Sequence, residues 1–184
     1  MPSPVPHPSQ LGLSRTLQFT SAPAGRTFYY AKRKNEPNGG HLPVIESTWE
    51  DTVRFRRTPG PFIYAVADRE DSVKYIGKSW EKYLHQRWLR PQPYIHHRES
   101  REHVLAELNA GRGPLHLWSA SATEMKRVLP AHASLPDRDL IAALEALWLD
   151  RWLPHLWNWR PEPVPPGFTD FEYWRPSAPA RGDA

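Results

Sequence analysis

The stretch FIYAVADREDSVKYIG, residues 62–77, predicts an antiparallel β-hairpin. Residues 62–67 are apolar and aromatic throughout, which is typical of a buried strand. Residues 68–72 are polar and predict the turn, after which the chain returns as a second strand that ends at Gly77. Tyr64 and Tyr75 lie near the ends of strands that should pair, so their hydroxyls can converge on one pocket.

Further elements are predicted on the C-terminal side of this hairpin. Ser79 is a good N-cap for a helix that runs to Arg90, since Pro91 follows. Residues 99–109 predict another helix, and residues 114–119 predict a third strand.

The best-defined helix begins after Ser134-Leu135-Pro136-Asp137, which resembles a capping box, and ends at Pro154. Its apolar side chains recur at helical spacing and form one stripe. The stripe consists of Leu140, Ile141, Leu144, Leu147 and Trp148.

Prolines cluster at both ends of the chain, and this divides it into three parts. Residues 1–58 are interpreted as a partly disordered N-terminal arm with short strands. Little structure is expected in its first part, residues 1–25. The compact domain is predicted at 59–160, and a Pro-rich C-terminal tail at 161–184. The expected class is α+β, with a small three-stranded antiparallel sheet flanked by helices and extended arms at both ends.

Composition restricts the chemistry and the location of the chain. It has no cysteine, which excludes disulfides, thiolate catalysis and cysteine-ligated zinc or iron–sulfur centres. No long apolar run could span a membrane and no signal-like N-terminus is present, so we expect a cytoplasmic protein that contacts no membrane. The formal net charge of +4 fits a polyanionic partner.

Polar residues around the hairpin and the long helix suggest phosphodiester chemistry. Arg87 shares the inward side of its helix with Leu84 and could neutralise charge that develops on a phosphate, although Arg90 is an alternative. Glu145 lies at the border of the apolar stripe, where one carboxylate with waters could hold Mg²⁺. Asn158 could position a phosphate or hold its local loop, and His96 could contact phosphate or act as a base.

These residues resemble the GIY-YIG nuclease family. The match runs from Phe62-Ile63-Tyr64 and Tyr75-Ile76-Gly77-Lys78-Ser79 through Leu84-x-x-Arg87 to Leu144-Glu145, Pro154 and Asn158. It covers roughly residues 61–158, over half of the chain. Phe62 replaces the first glycine of the motif, and Pro91 stands where many members have histidine or tyrosine, a place that Tyr94 or His96 could take.

The resemblance implies an endonuclease that uses Mg²⁺ or Mn²⁺ to hydrolyse DNA. It implies catalytic roles for Tyr64, Tyr75, Arg87 and Glu145, with Glu145 as the metal ligand. Substrate binding is assigned to four further residues: Lys78, Arg90, His96 and Asn158.

The branch that it resembles is that of stand-alone restriction, homing or phage-defence nucleases, and a homodimer is compatible with such a role. The alternative is a catalytically inactive module that binds nucleic acid on the same fold.

Overall fold

The protein is described by a computed structural model that covers residues 5–30, 40–88, 98–158, 163–165 and 168. Three residues with predicted roles, Arg90, Tyr94 and His96, lie outside the described residues. Most of the predicted tail at 161–184 also lies outside them.

The fold is α+β and contains a five-stranded antiparallel sheet. Its strand order is β4-β1-β7-β5-β6, and a separate two-stranded sheet pairs β2 with β3. The strands are β1 (Ser14–Ser21), β2 (Thr27–Tyr30), β3 (Gly40–Pro43), β4 (Glu46–Trp49), β5 (Phe62–Ala67), β6 (Val73–Ser79) and β7 (Leu115–Ser121).

The predicted hairpin and third strand are confirmed, but the prediction of a three-stranded sheet is wrong. Strands β5, β6 and β7 are adjacent, with β5 between the other two. Strands β1 and β4 extend this sheet on the β7 side. The expectation of little structure in residues 1–25 is therefore wrong for β1, whose Leu17 and Phe19 are fully buried.

Two helical layers cover the main sheet. The helices are α1 (Thr52–Arg57), α2 (Leu84–Trp88), α3 (Arg98–Asn109), α4 (Ala122–Val128) and α5 (Asp137–Trp152). On one face, the apolar residues of α4 and α5 form a core with Ile63 and Ile76. On the other face, residues of α2 and α3 pack with Tyr64 and Val66. Because side chains alternate along a strand, β5 and β6 contribute to both cores.

The helix boundaries differ from the predictions at two N-termini. Ser79 is the buried last residue of β6, and the next helix begins only at Leu84. Pro136 precedes α5 without a side-chain cap, so the predicted capping box there is wrong. A capping box instead begins α4, where Ser121 and Glu124 satisfy each other's backbone N–H groups.

Within the described part of the chain, no helix has the length and apolar character needed to cross a membrane.

Candidate active site

Tyr64 occupies the centre of the candidate site. It lies on β5 opposite Gly77 of β6, and only 2% of its surface is exposed. Its ring packs edge-on against Trp88 of α2, with the ring centroids 5.0 Å apart. The phenol is thus held between the sheet and α2 in one orientation.

Tyr75 lies on the same face of the hairpin as Tyr64. Tyr75 pairs with Val66, two residues along β5 from Tyr64, so the two tyrosines are diagonal neighbours. Their rings stack at an interplanar angle of 27°, with centroids 6.3 Å apart, and their hydroxyls interact through a hydrogen bond. The convergence of the two phenols predicted from the hairpin is present in the structure.

Arg87 extends from α2 to the Tyr64 hydroxyl and interacts with it through a hydrogen bond. Burial raises the pKa of Tyr64 above its ordinary value of 10.0, although the positive charge of Arg87 acts in the opposite direction. The Tyr64 hydroxyl therefore stays protonated at neutral pH and can donate a hydrogen bond. The structure places Arg87 at the tyrosines, whereas its alternative Arg90 lies outside the described residues.

Glu145 belongs to α5, which packs on the face of the sheet opposite to Tyr64. Glu145 is 6% exposed, and the negative charge of its carboxylate contributes to the raised pKa of Tyr64. In the described sheet β6 is an edge strand, and its Lys78 forms an ion pair with Glu145 Oε2. A buried carboxylate with a cationic partner thus acts electrostatically on the Tyr64 phenol.

The carboxylate of Glu145 is chemically able to hold a divalent cation, and the metal itself stays a prediction. The ammonium of Lys78 shows that this carboxylate already accommodates a positive charge. Within the described ranges, no group of three His, Asp or Glu side chains could form a ready-made metal site. A Mg²⁺ held by one carboxylate, waters and a substrate phosphate needs no such group.

Asn158 fastens the chain after α5 to the outer edge of β6. Its Oδ1 accepts a hydrogen bond from the Ile76 N–H at 3.0 Å, and its Nδ2 donates to the Ile76 carbonyl at 2.8 Å. The neighbouring Trp157 N–H donates to the Lys74 carbonyl at 2.6 Å. Of the two roles left open by the sequence, holding the local loop is present, and phosphate binding stays a prediction.

The sequence did not predict two features of this site: the packing of Trp88 against Tyr64 and the ion pair between Lys78 and Glu145. Trp88 follows Leu84 by one helical turn, so its position on the inward side of α2 could have been inferred. The ion pair joins residues far apart in the chain and left no pattern in the sequence.

Gly77 is required by the position of the Tyr64 ring. A Cβ atom at residue 77 would lie 2.7 Å from both Cζ and Oη of Tyr64. We expect Gly77→Ala to lower the free energy of unfolding by about 1–3 kcal/mol, the usual cost of overpacking, and to displace the phenol. Chemical denaturation of the variant and the wild type measures this difference.

The matched control for this prediction is the same glycine change in a Tyr64→Leu background, which has no ring over residue 77. The cost of Gly77→Ala should be smaller there. Equal losses in both backgrounds would contradict the assigned clash.

Comparisons with protein-family models, with curated proteins and with solved structures find no match for this chain. The resemblance to the GIY-YIG family therefore depends on the quoted motifs and on the geometry of the residues that they contain.

Proposed function

We propose that this chain is a metal-dependent endonuclease that hydrolyses DNA phosphodiester bonds in the manner of the GIY-YIG family. The observation that carries the proposal is the surroundings of the Tyr64 hydroxyl. Tyr75 and Arg87 interact with it directly, and Glu145 influences it electrostatically. These four residues come from a hairpin, a short helix and a distant helix, and they are the four to which the resemblance assigns catalysis.

In this proposal the scissile phosphate lies beside the two tyrosines and Arg87. The protonated Tyr64 hydroxyl donates a hydrogen bond to a phosphate oxygen, and the guanidinium of Arg87 stabilises the negative charge that develops there. Tyr75, which is less buried than Tyr64, orients the attacking water. Burial favours the neutral phenol of Tyr64, so its proposed role is hydrogen-bond donation rather than proton removal.

Glu145 is the proposed ligand of Mg²⁺ or Mn²⁺, which when bound supplies a Lewis acid that polarises the phosphate. Lys78 keeps the substrate-binding role predicted for it, with its ammonium contacting the substrate phosphate beside the Glu145 carboxylate with which it pairs. Lys78 lies on the edge strand β6, where its ammonium can leave the Glu145 carboxylate and bind a phosphate oxygen of the substrate instead.

The basic residues of α1 are proposed to contact the DNA backbone to different degrees. Arg54 forms an ion pair with Glu124, with 2.5 Å between Nη1 and Oε1, and this contact favours a structural role for Arg54. Arg57 is exposed, and the Arg56 guanidinium lies 3.9 Å from the ring centroid of Trp49. Arg56 and Arg57 are thus better placed than Arg54 for non-specific contacts that depend on salt.

A second candidate function is supported by the ion pair at Glu145. Lys78 neutralises the carboxylate that would hold the metal, as expected if the fold binds nucleic acid without cutting it. Such a module would retain DNA with a steep salt dependence and release no product.

The two functions are separated by incubating the full chain with supercoiled plasmid and with circular single-stranded DNA. A nuclease should nick or linearise at least one of them in Mg²⁺ or Mn²⁺ and neither of them in EDTA, because only the metal-loaded site polarises the phosphate. Retention of DNA in a gel, with no product across a wide range of metal concentrations, would select the binding module. Absence of both binding and cleavage would contradict both functions.

A further inference from the structure

Trp80 is a large apolar side chain that the fold leaves exposed. It directly follows β6, and 42% of its surface is accessible to solvent. Two cations lie near its ring, with Lys78 Nζ and Arg138 Cζ each 5.7 Å from the ring centroid. An accessible indole with two basic side chains nearby can stack on a base while the cations contact the adjoining phosphates.

Lys78 connects this indole to the candidate active site. The same ammonium forms the ion pair with Glu145 and lies beside the Trp80 ring. A nucleotide stacked on Trp80 would therefore place its own phosphate near Glu145.

The loop between β6 and α2 that carries Trp80 is held to the rest of the fold. The Gly60 N–H donates a hydrogen bond to the Lys82 carbonyl at 2.8 Å, and Pro59 forms an isolated β-bridge with Tyr83. These contacts fix the loop before any ligand arrives, which reduces the entropy that binding would cost.

At the other end of this loop, Tyr83 is a second aromatic ring that lies beside a cation. Lys82 Nζ lies 5.3 Å from its ring centroid, and the ring of His85 stacks against it at 5.8 Å. Aromatic rings interleaved with basic groups are the common feature of surfaces that bind single-stranded nucleic acid.

We propose that Trp80 and Arg138 form a subsite that stacks an unpaired DNA base next to the cleaved phosphate. This inference rests on the proposed function and specifies its substrate: the preferred DNA is single-stranded or splayed at this nucleotide. The indole provides the stacking surface, and Arg138 contacts a phosphate that adjoins the stacked base. A fully paired duplex does not offer a base face to Trp80, so it binds without this interaction.

The test measures binding of labelled single-stranded and duplex oligonucleotides to the full chain without metal, so that cleavage does not interfere. Because loss of one base–aromatic stack weakens binding by roughly 5- to 150-fold, we expect Trp80→Ala to lose that much affinity for the single strand. Trp80→Phe should keep most of it, and duplex affinity should change little. Arg138→Ala should reduce the slope of log affinity against log salt by about 0.7, whereas Trp80→Ala should leave the slope unchanged.

Val128→Ala provides the matched control, because Val128 is an exposed apolar residue of α4 that lies beside Gly12. It should bind both DNAs as the wild type does. Equal losses for single strand and duplex in Trp80→Ala, or no loss for either, would overturn the subsite.

The outcomes separate this inference from the nuclease proposal. Metal-dependent cleavage together with an unaltered strand preference in Trp80→Ala would remove the subsite and leave the nuclease. A selective loss of single-strand binding in a protein that never cuts would support the subsite and contradict the nuclease.

Discussion

Glu145→Gln should reduce the single-turnover rate of DNA cleavage by at least about 10²–10³-fold, the usual cost of losing one charge-stabilising group. Glutamine preserves the size of the side chain but removes the negative charge that would hold a divalent cation. DNA binding measured without metal should be unchanged or slightly stronger, because one negative charge has been lost near the phosphate site. Cleavage that persists at the wild-type rate would contradict the role of Glu145.

The stability control for this variant uses the partner of Glu145. Glu145→Gln leaves Lys78 without its carboxylate, so part of any activity loss could arise from weaker folding. In Glu145→Gln combined with Lys78→Met, neither charge remains, and we expect stability closer to that of the wild type. If the double variant is stable and still does not cut, unfolding does not explain the lost cleavage, which then reflects the two removed charges, the proposed metal ligand Glu145 and the proposed phosphate contact Lys78.

Arg87→Ala should have the second largest effect, a loss of about 10²–10³-fold in kcat with a smaller change in KM. The reason is that Arg87 interacts with the Tyr64 hydroxyl, where we place the phosphate. Arg87→Lys should recover only part of the rate, since lysine keeps the charge but lacks the planar guanidinium. Kinetic assays over a range of DNA concentrations separate kcat from KM.

A second readout distinguishes this role of Arg87 from a purely structural one. Arg87 lowers the pKa of Tyr64 against the larger effect of burial, so its removal should raise that pKa further. The pKa of Tyr64 can be measured from phenolate absorbance at alkaline pH, as the difference between a protein and its Tyr64→Phe variant. This difference is then compared between proteins with and without Arg87→Ala. Arg127→Ala, at an exposed arginine on α4, should change neither the rate nor the titration, and an equal effect there would indicate a general charge effect.

The central part of the fold could be predicted because its signals are local. The hairpin has a continuous apolar strand and a polar turn, and Asp68 Oδ1 accepts hydrogen bonds from the Glu70 and Ser72 N–H groups at 2.9 Å. The apolar stripe correctly indicated α5. Its Glu145 is more deeply buried than a border position suggests, since α5 is covered on most of its circumference.

Strand β1 could not be predicted from local signals, because its partners are remote in sequence. Its sequence is rich in Ser, Thr and Gln and lies near proline-rich residues, so it has the composition of a loop. Only its pairing with β7, for example Leu17 with Leu117, makes it a sheet strand. The buried hydrogen bond of 2.7 Å between Thr16 Oγ1 and Ser119 Oγ likewise exists only after these strands meet.

For the candidate site, the elements that carry the residues were easier to predict than the contacts between those residues. The tyrosines and Arg87 lie on neighbouring elements, and their relation follows from strand pairing and helix periodicity. Lys78 and Glu145 meet only because α5 packs against β6, which no local pattern reveals.

The position of β1 between β4 and β7 has a practical consequence for anyone who shortens this protein. A fragment that starts at the motif-bearing hairpin would strip one side of β7 of its hydrogen-bonding neighbour. Such a bare strand recruits other chains, so the truncated product should precipitate during expression. The N-terminal segment that carries β1 is therefore expected to prevent aggregation of the rest of the chain.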